Sequence, residues 1–500
     1  MQNTLLMTGR KVSRNAVAVM IDHPVLSSFL VALGVRVVFV ALSGLFHEGL
    51  LIPDEGQYLT LATMASEGKL TSEFWPGYGQ SLFASARTLM WPLTALFWVF
   101  GPFRIVGQVL VAVFGAATAA ASAGLAGRFL RRPFALVAGL TVALFPSQIL
   151  WSSVVMRESL IWAGLAAMAL VVGYSKQSDS RSRIILSAIL LGLLFVVMVW
   201  LRVQTAVLAL WCLFPALLFG SGRRAVRILS AICLFVVAPW LVGMGPGTAT
   251  FSETATSILG SSRAYMSVAA DSSILNNGGP VAVPGGSSRA MRADASGPKH
   301  PATGPVAVPT TGPVAVVFQS SVSGACIDRV RQELGEASRI SDVSGSLLDR
   351  ERKGWLCISD GLGGAILVDN RLRTSLRRSP RGLFDTMLRP FLWESAWSNR
   401  DKFGAGLESS LWIMLYGFSI YGAWKQREHI APMVFPVLLI GVIALSGAVT
   451  HGNLGTSFRH RGQMLFALAV LSAGGLQAIA DRREGKRKGR AAVGSPGAVR

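Results

Sequence analysis

Apolar runs of about 17–22 residues recur along the whole chain, and a run of that length matches the hydrocarbon core of a bilayer. Val25 to Phe46, Phe103 to Gly127, Ile184 to Trp200 and Met464 to Ala480 are examples. A chain of 500 residues with only 15% charged residues and a mean hydropathy of +0.50 does not read as a soluble protein. The first run is long and lacks a small-residue cleavage site, so it reads as a retained span and not a secretory signal. The formal net charge of +21 invites nucleic acid as a partner. The distribution argues against that partner: the basic residues cluster in short loops between apolar runs, as the positive-inside rule describes.

Those basic loops fix one side of the membrane. They are Arg10/Lys11/Arg14, Arg128/Arg131/Arg132, Lys176/Arg181/Arg183, Arg223/Arg224/Arg227, Lys425/Arg427 and the tail Asp481–Arg490, which carries six basic and two acidic residues. The expected fold is an all-α polytopic membrane protein of about ten crossings, with both termini on the cytoplasmic side. Expected spans are 25–46, 103–127, 133–150, 159–175, 184–200, 205–220, 228–244, 407–424, 430–449 and 464–480. The apolar segment 83–100 fits as a helix embedded in the membrane without crossing it. In domain terms, 1–24 is a cytoplasmic N-terminus and 25–244 a membrane module with outer loops at 47–82 and 151–158. Residues 245–405 form a large extracytoplasmic loop, 406–480 further membrane helices, and 481–500 a basic tail that meets anionic headgroups. The large loop starts Gly-, Pro- and Ser-rich, with Gly279–Pro284 echoed at Gly304–Pro309 and Gly312–Val317. Its Cys326 and Cys357 could pair in a small subdomain if the loop is extracytoplasmic, whereas Cys212 and Cys233 sit in apolar spans.

Charged residues at the outer ends of the spans are the candidates for chemistry. Pro53-Asp54-Glu55-Gly56-Gln57-Tyr58 opens an amphipathic helix. Asp54 there is either its N-cap or a carboxylate facing a cavity at the membrane surface, able to take a proton from a hydroxyl or hold a divalent metal. Arg157-Glu158 interrupts an apolar stretch, as an interfacial ion pair or as part of a site. Arg459-His460-Arg461 places cations on the outer side against the charge bias, and Arg202 follows a span nearby. Guanidinium groups match phosphate oxygens, on a lipid carrier or on a headgroup. Arg36, inside the first span, would snorkel or pair with an outer-loop acid.

Taken in order, Pro53–Tyr58, Trp91-Pro92, Phe100-Gly101 with Arg104, the basic turn from Gly127 to Arg132 and the acid at Glu158 resemble the C-type integral-membrane glycosyltransferases. The likeness is nearest the protein O-mannosyltransferase and aminoarabinose-transferase branch. It covers roughly residues 25–240, with an echo at Arg459–Arg461. The branch often has Lys-Pro-Pro where this chain has Trp91-Pro92, and Asp where it has Glu158.

The resemblance implies transfer of a sugar from a polyprenyl-phosphate-linked donor to a glycan, lipid or protein acceptor, with inversion. The site would face outward from a bacterial plasma (inner) membrane. It implies Asp54 as general base with Glu55 beside it, and Glu158 as second acid. Arg459, His460, Arg461 and Arg202 would bind donor phosphate, with Tyr58 and Arg157 shaping the acceptor side. The resemblance names no certain cofactor and leaves open a divalent metal held by Asp54 and Glu158. Two other functions compete: an envelope-polysaccharide polymerase or ligase, and a lipid-linked-sugar transporter without transfer chemistry.

Overall fold

The computed structural model describes residues 17–46, 50, 52–69, 83, 86–176, 180–218, 224–241, 355–359, 365–369, 372–391, 393, 400–429, 431–450 and 454–493. In chain order the helices are α1 Pro24–Phe46, α2 Pro53–Ser66, α3 Arg87–Phe100, α4 Arg104–Ala126, α5 Arg132–Leu144, α6 Pro146–Trp151, α7 Glu158–Lys176, α8 Arg181–Leu218 and α9 Arg224–Leu241. After them come strands β1 Trp355–Ser359 and β2 Ala365–Asp369, then α10 Leu372–Leu388, α11 Arg400–Lys425, α12 Val434–Thr450 and α13 Leu454–Val493.

Six helices among the described residues are long and apolar enough to cross a membrane: Pro24–Leu45, Arg104–Ala126, Glu158–Ser175, Arg181–Val199, Ala431–Ala448 and Arg459–Arg487. Of the roughly ten crossings expected, these six are present among the described residues. α5 has 13 residues, about 20 Å at the helical rise, against a hydrocarbon core of about 30 Å. The expected spans 184–200 and 205–220 are two helices meeting at a kink, where Arg202 adopts extended backbone (φ −164°, ψ 98°); the second, Val203–Leu218, is the shorter. α3, with 14 residues, is likewise too short to cross unaided, in line with the embedded helix expected there.

The chain divides into two compact units, one of Met1–Ile258, Leu376–Val449 and Leu454–Arg500, the other of Leu259–Ser375 and Thr450–Asn453. The second is represented by the antiparallel pairing of β1 with β2, from Trp355 opposite Asp369 to Ser359 opposite Ala365. Cys326 and the side chain of Cys357 lie outside the described residues, and so does the expected disulfide. The boundary expected at 405 moves: the helical unit resumes at Leu376, because the end of α10 packs against α12, with Gly447 facing Thr386.

The helical unit is organised around α4. Its Ala112, Gly115, Ala116, Ala119, Ser122 and Ala123 are buried, and small residues let α1, α5 and α7 approach closely. α11 and α13 cross so tightly that Gly422 has no room for a Cβ beside the Leu471 backbone. Hydroxyls stitch that crossing: Ser419 bonds the Leu468 carbonyl at 2.9 Å and Ser472 bonds that of Leu415 at 2.9 Å. Outward-facing Leu30, Val37, Trp98, Leu186, Leu193, Ile420 and Leu445 are exposed, the apolar jacket expected of helices bathed in lipid.

Candidate functional site

α2 begins with Pro53 at its first turn and Ile52 as cap, so Asp54 is not the N-cap. Proline suits a first turn because its missing N–H has no helical partner there. Asp54 and Glu55 then follow where the helix dipole favours negative charge. Their fates diverge. Glu55 is 0% exposed; its Oε2 meets Arg104 Nη2 at 2.8 Å and its Oε1 accepts from Arg104 Nε at 3.2 Å and from the Val155 amide at 3.1 Å. With both oxygens engaged, Glu55 braces α2, α4 and the turn after α6. Asp54 points to the partly open side, where Arg459 Nη2 donates to its Oδ2 at 3.0 Å.

The turn from Ser152 to Arg157 supplies the next wall. Ser152, Ser153, Val154, Val155 and Met156 are buried, and Arg157 Nη1 donates to the Leu201 carbonyl at 3.2 Å. Glu158 opens α7 at 4% exposure, and its Oε2 has no hydrogen-bond partner among the described residues. Arg459 also keeps a buried Nε–H without such a partner, while its guanidinium carbon stands 4.5 Å from the Trp151 ring centroid, a cation–π contact. The break in α8 brings Arg202 Nη2 to within 3.1 Å of His460 Nε2. A guanidinium has no acceptor to offer, so the imidazole Nε2 must accept, which fixes the neutral tautomer protonated on Nδ1.

Electrostatics binds these groups into one cluster. Burial raises the Tyr58 pKa; Arg157 and Arg202 oppose that shift, while Glu158 and Asp54 add to it. Burial and the neighbouring charge of Arg157 lower the Arg202 pKa to about 10, with Glu158 and Tyr58 opposing and Arg459 contributing. Arg202 therefore stays cationic at neutral pH. Asp54, Tyr58, Arg157, Glu158, Arg202, Arg459 and His460, from widely separated stretches of sequence, thus converge at one end of the bundle.

Arg461 does not join them. Helical rotation turns it inward, where it donates to the carbonyls of Thr386, Arg389 and Asp385 at the end of α10. These bonds engage its Nε and Nη2 with carbonyls at a helix C-terminus, away from the cluster where a donor phosphate was expected. Arg36 does not pair with an outer-loop acid either: it bonds the Ala32 and Ala143 carbonyls and Ser152 Oγ. Sequence reasoning also missed Arg104 and Trp151 as partners. Arg104 opens a span, which hinted at an interfacial cation, but nothing local marks Glu55 as its mate 49 positions away. Among the described residues no three His, Cys, Asp or Glu side chains gather as metal ligands. The Asp54 carboxylate is engaged by Arg459. No protein-family model matches the chain, and no curated protein matches it.

Proposed function

We propose that this chain is an inverting glycosyltransferase of the C type. It moves a sugar from a polyprenyl-phosphate-linked donor to a glycan, lipid or protein acceptor at the extracytoplasmic face of a bacterial plasma membrane. The observation that carries the proposal is the meeting of two acids, Asp54 and Glu158, with three guanidiniums, Arg157, Arg202 and Arg459, at one end of a bundle of apolar helices. Isolated charges at such a depth are costly, and a cluster with hydrogen-bonding capacity still open on Glu158 and Arg459 favours a polar ligand.

In the proposed reaction the acceptor oxygen attacks the anomeric carbon. The bond from that carbon to the phosphate oxygen breaks, and its electron pair leaves with polyprenyl phosphate. Asp54 takes the acceptor proton as the new bond forms. Arg459 and Arg202 hold the phosphate and stabilise the charge that builds on it. Donor binding draws Arg459 toward phosphate and relieves Asp54 of its ion pair, so that the base is freed when the donor is in place. Glu158 and Tyr58 offer hydrogen bonds to sugar hydroxyls.

The test is purified protein in nanodiscs with a panel of polyprenyl-phosphate sugars. The expected result is release of free polyprenyl phosphate that is abolished by Asp54→Asn. Movement of intact donor across the bilayer without release would instead support a transporter, and unaltered release by the Asp54→Asn protein would favour a polymerase or ligase that works without this base.

A further inference from the structure

We infer that Arg36, deep in the first membrane helix, is a positioning residue that holds the Ser152–Arg157 turn and thereby presents Arg157 and Glu158 to the charged cluster. Arg36 is 0% exposed and lies about midway along α1. A guanidinium in an apolar interior is costly unless its donors are used; here Nε and Nη1 are used, and Nη2 has no partner among the described residues. Its Nη1 donates to the Ala32 carbonyl of its own helix at 2.9 Å and to the Ala143 carbonyl at 3.1 Å. Ala143 lies in the last turn of α5, and Phe145 and Pro146 end that helix, so the carbonyl lacks a helical donor. Nε donates to Ser152 Oγ, which in turn donates to the Gln148 carbonyl. One side chain therefore ties α1 to the break between α5 and α6 and to the first residue of the turn.

A second helix is shaped to admit this contact. A Cβ on Gly115 of α4 would stand 2.6 Å from Arg36 Nε and 2.6 Å from Ser152 Cβ and Oγ. Further along, the Val155 amide is held by Glu55, and Arg157 by the Leu201 carbonyl. The turn is thus pinned at its start, middle and end, and Arg36 is the pin at the start. The role assigned to Arg157 and Glu158 rests on the proposed transfer site; the brace itself does not.

The experiment uses the full chain in nanodiscs with Ser152→Ala, Gly115→Ala, Arg36→Gln and the Arg36→Gln/Ser152→Ala pair. Amide hydrogen exchange is followed over 152–158 and over α12 as an internal control, and binding of polyprenyl phosphate is measured in parallel. Ser152→Ala removes the link to the turn while leaving both backbone bonds of Arg36. It should speed exchange over 152–158 by about tenfold, leave α12 unchanged and weaken polyprenyl phosphate binding by about tenfold. Gly115→Ala should do the same from another helix, and the double variant should fall short of additivity. Unchanged exchange over 152–158, or an equal rise in α12, overturns the brace. A loosened turn with undiminished binding overturns its role in presenting the cluster. A loosened turn in a protein whose wild type binds no polyprenyl phosphate leaves the brace standing and sinks the transfer reaction instead.

Discussion

The two ends of the helical bundle use the same chemistry, guanidinium against carboxylate, in opposite ways. At one end Arg132 meets Asp22 at 3.1 Å with side chains 69% and 59% exposed, and Arg131 meets Asp481 with both about half exposed. At the other end Glu55 meets Arg104 with the acid fully buried, and Asp54 meets Arg459 with both partly buried. Water screens the first set, so each pair contributes little. The second set works at low dielectric, where an unpaired charge is costly and a ligand's charge is strongly felt. One end keeps its ion pairs in water; the other keeps them buried.

The largest expected effect is at Glu55. Glu55→Ala removes the two-point ion pair with Arg104 and the acceptor of the buried Val155 amide, and should destabilise the protein by roughly 3 kcal/mol, read as a fall in thermal midpoint in detergent together with loss of activity. Asp54→Asn should separate function from stability. Transfer falls by about 10²–10⁴-fold while stability moves by less than about 1 kcal/mol, measured by polyprenyl phosphate release and by thermal unfolding on the same sample. A large stability loss there would erase the distinction drawn between the two neighbouring acids. Arg461→Met removes donors from the α10 carbonyls and should cost about 2 kcal/mol, with faster hydrogen exchange at the end of α10. The smallest change is Arg132→Ala, worth at most about 1 kcal/mol and reduced further by salt. A larger value would show that the exposed end carries more of the stability than its solvation implies.

Much of this contrast was legible in the sequence. Apolar run length announced membrane helices, and the charges that interrupt the runs at Asp54, Arg157, Glu158 and Arg459 gather as expected. What was not legible is direction. Glu55 and Arg461 sit one or two residues from functional candidates, and composition cannot tell which face each occupies once neighbouring helices pack. Hydropathy alone does not give the exact stop of a helix, such as the one Pro146 imposes after α5. The mid-span Arg36 was visible as an anomaly, but its acceptors lie in segments whose approach only the fold reveals.

The adjacency of Asp54 and Glu55 carries a consequence for any attempt to redesign the protein. Successive helical residues are rotated by about 100°, and here the two neighbouring acids meet different arginines, Glu55 with Arg104 and Asp54 with Arg459. Exchanging the two residues, Asp54→Glu with Glu55→Asp, would put the shorter carboxylate against Arg104 and the longer one toward Arg459. The order of the two letters, more than their presence, sets where the negative charge is spent.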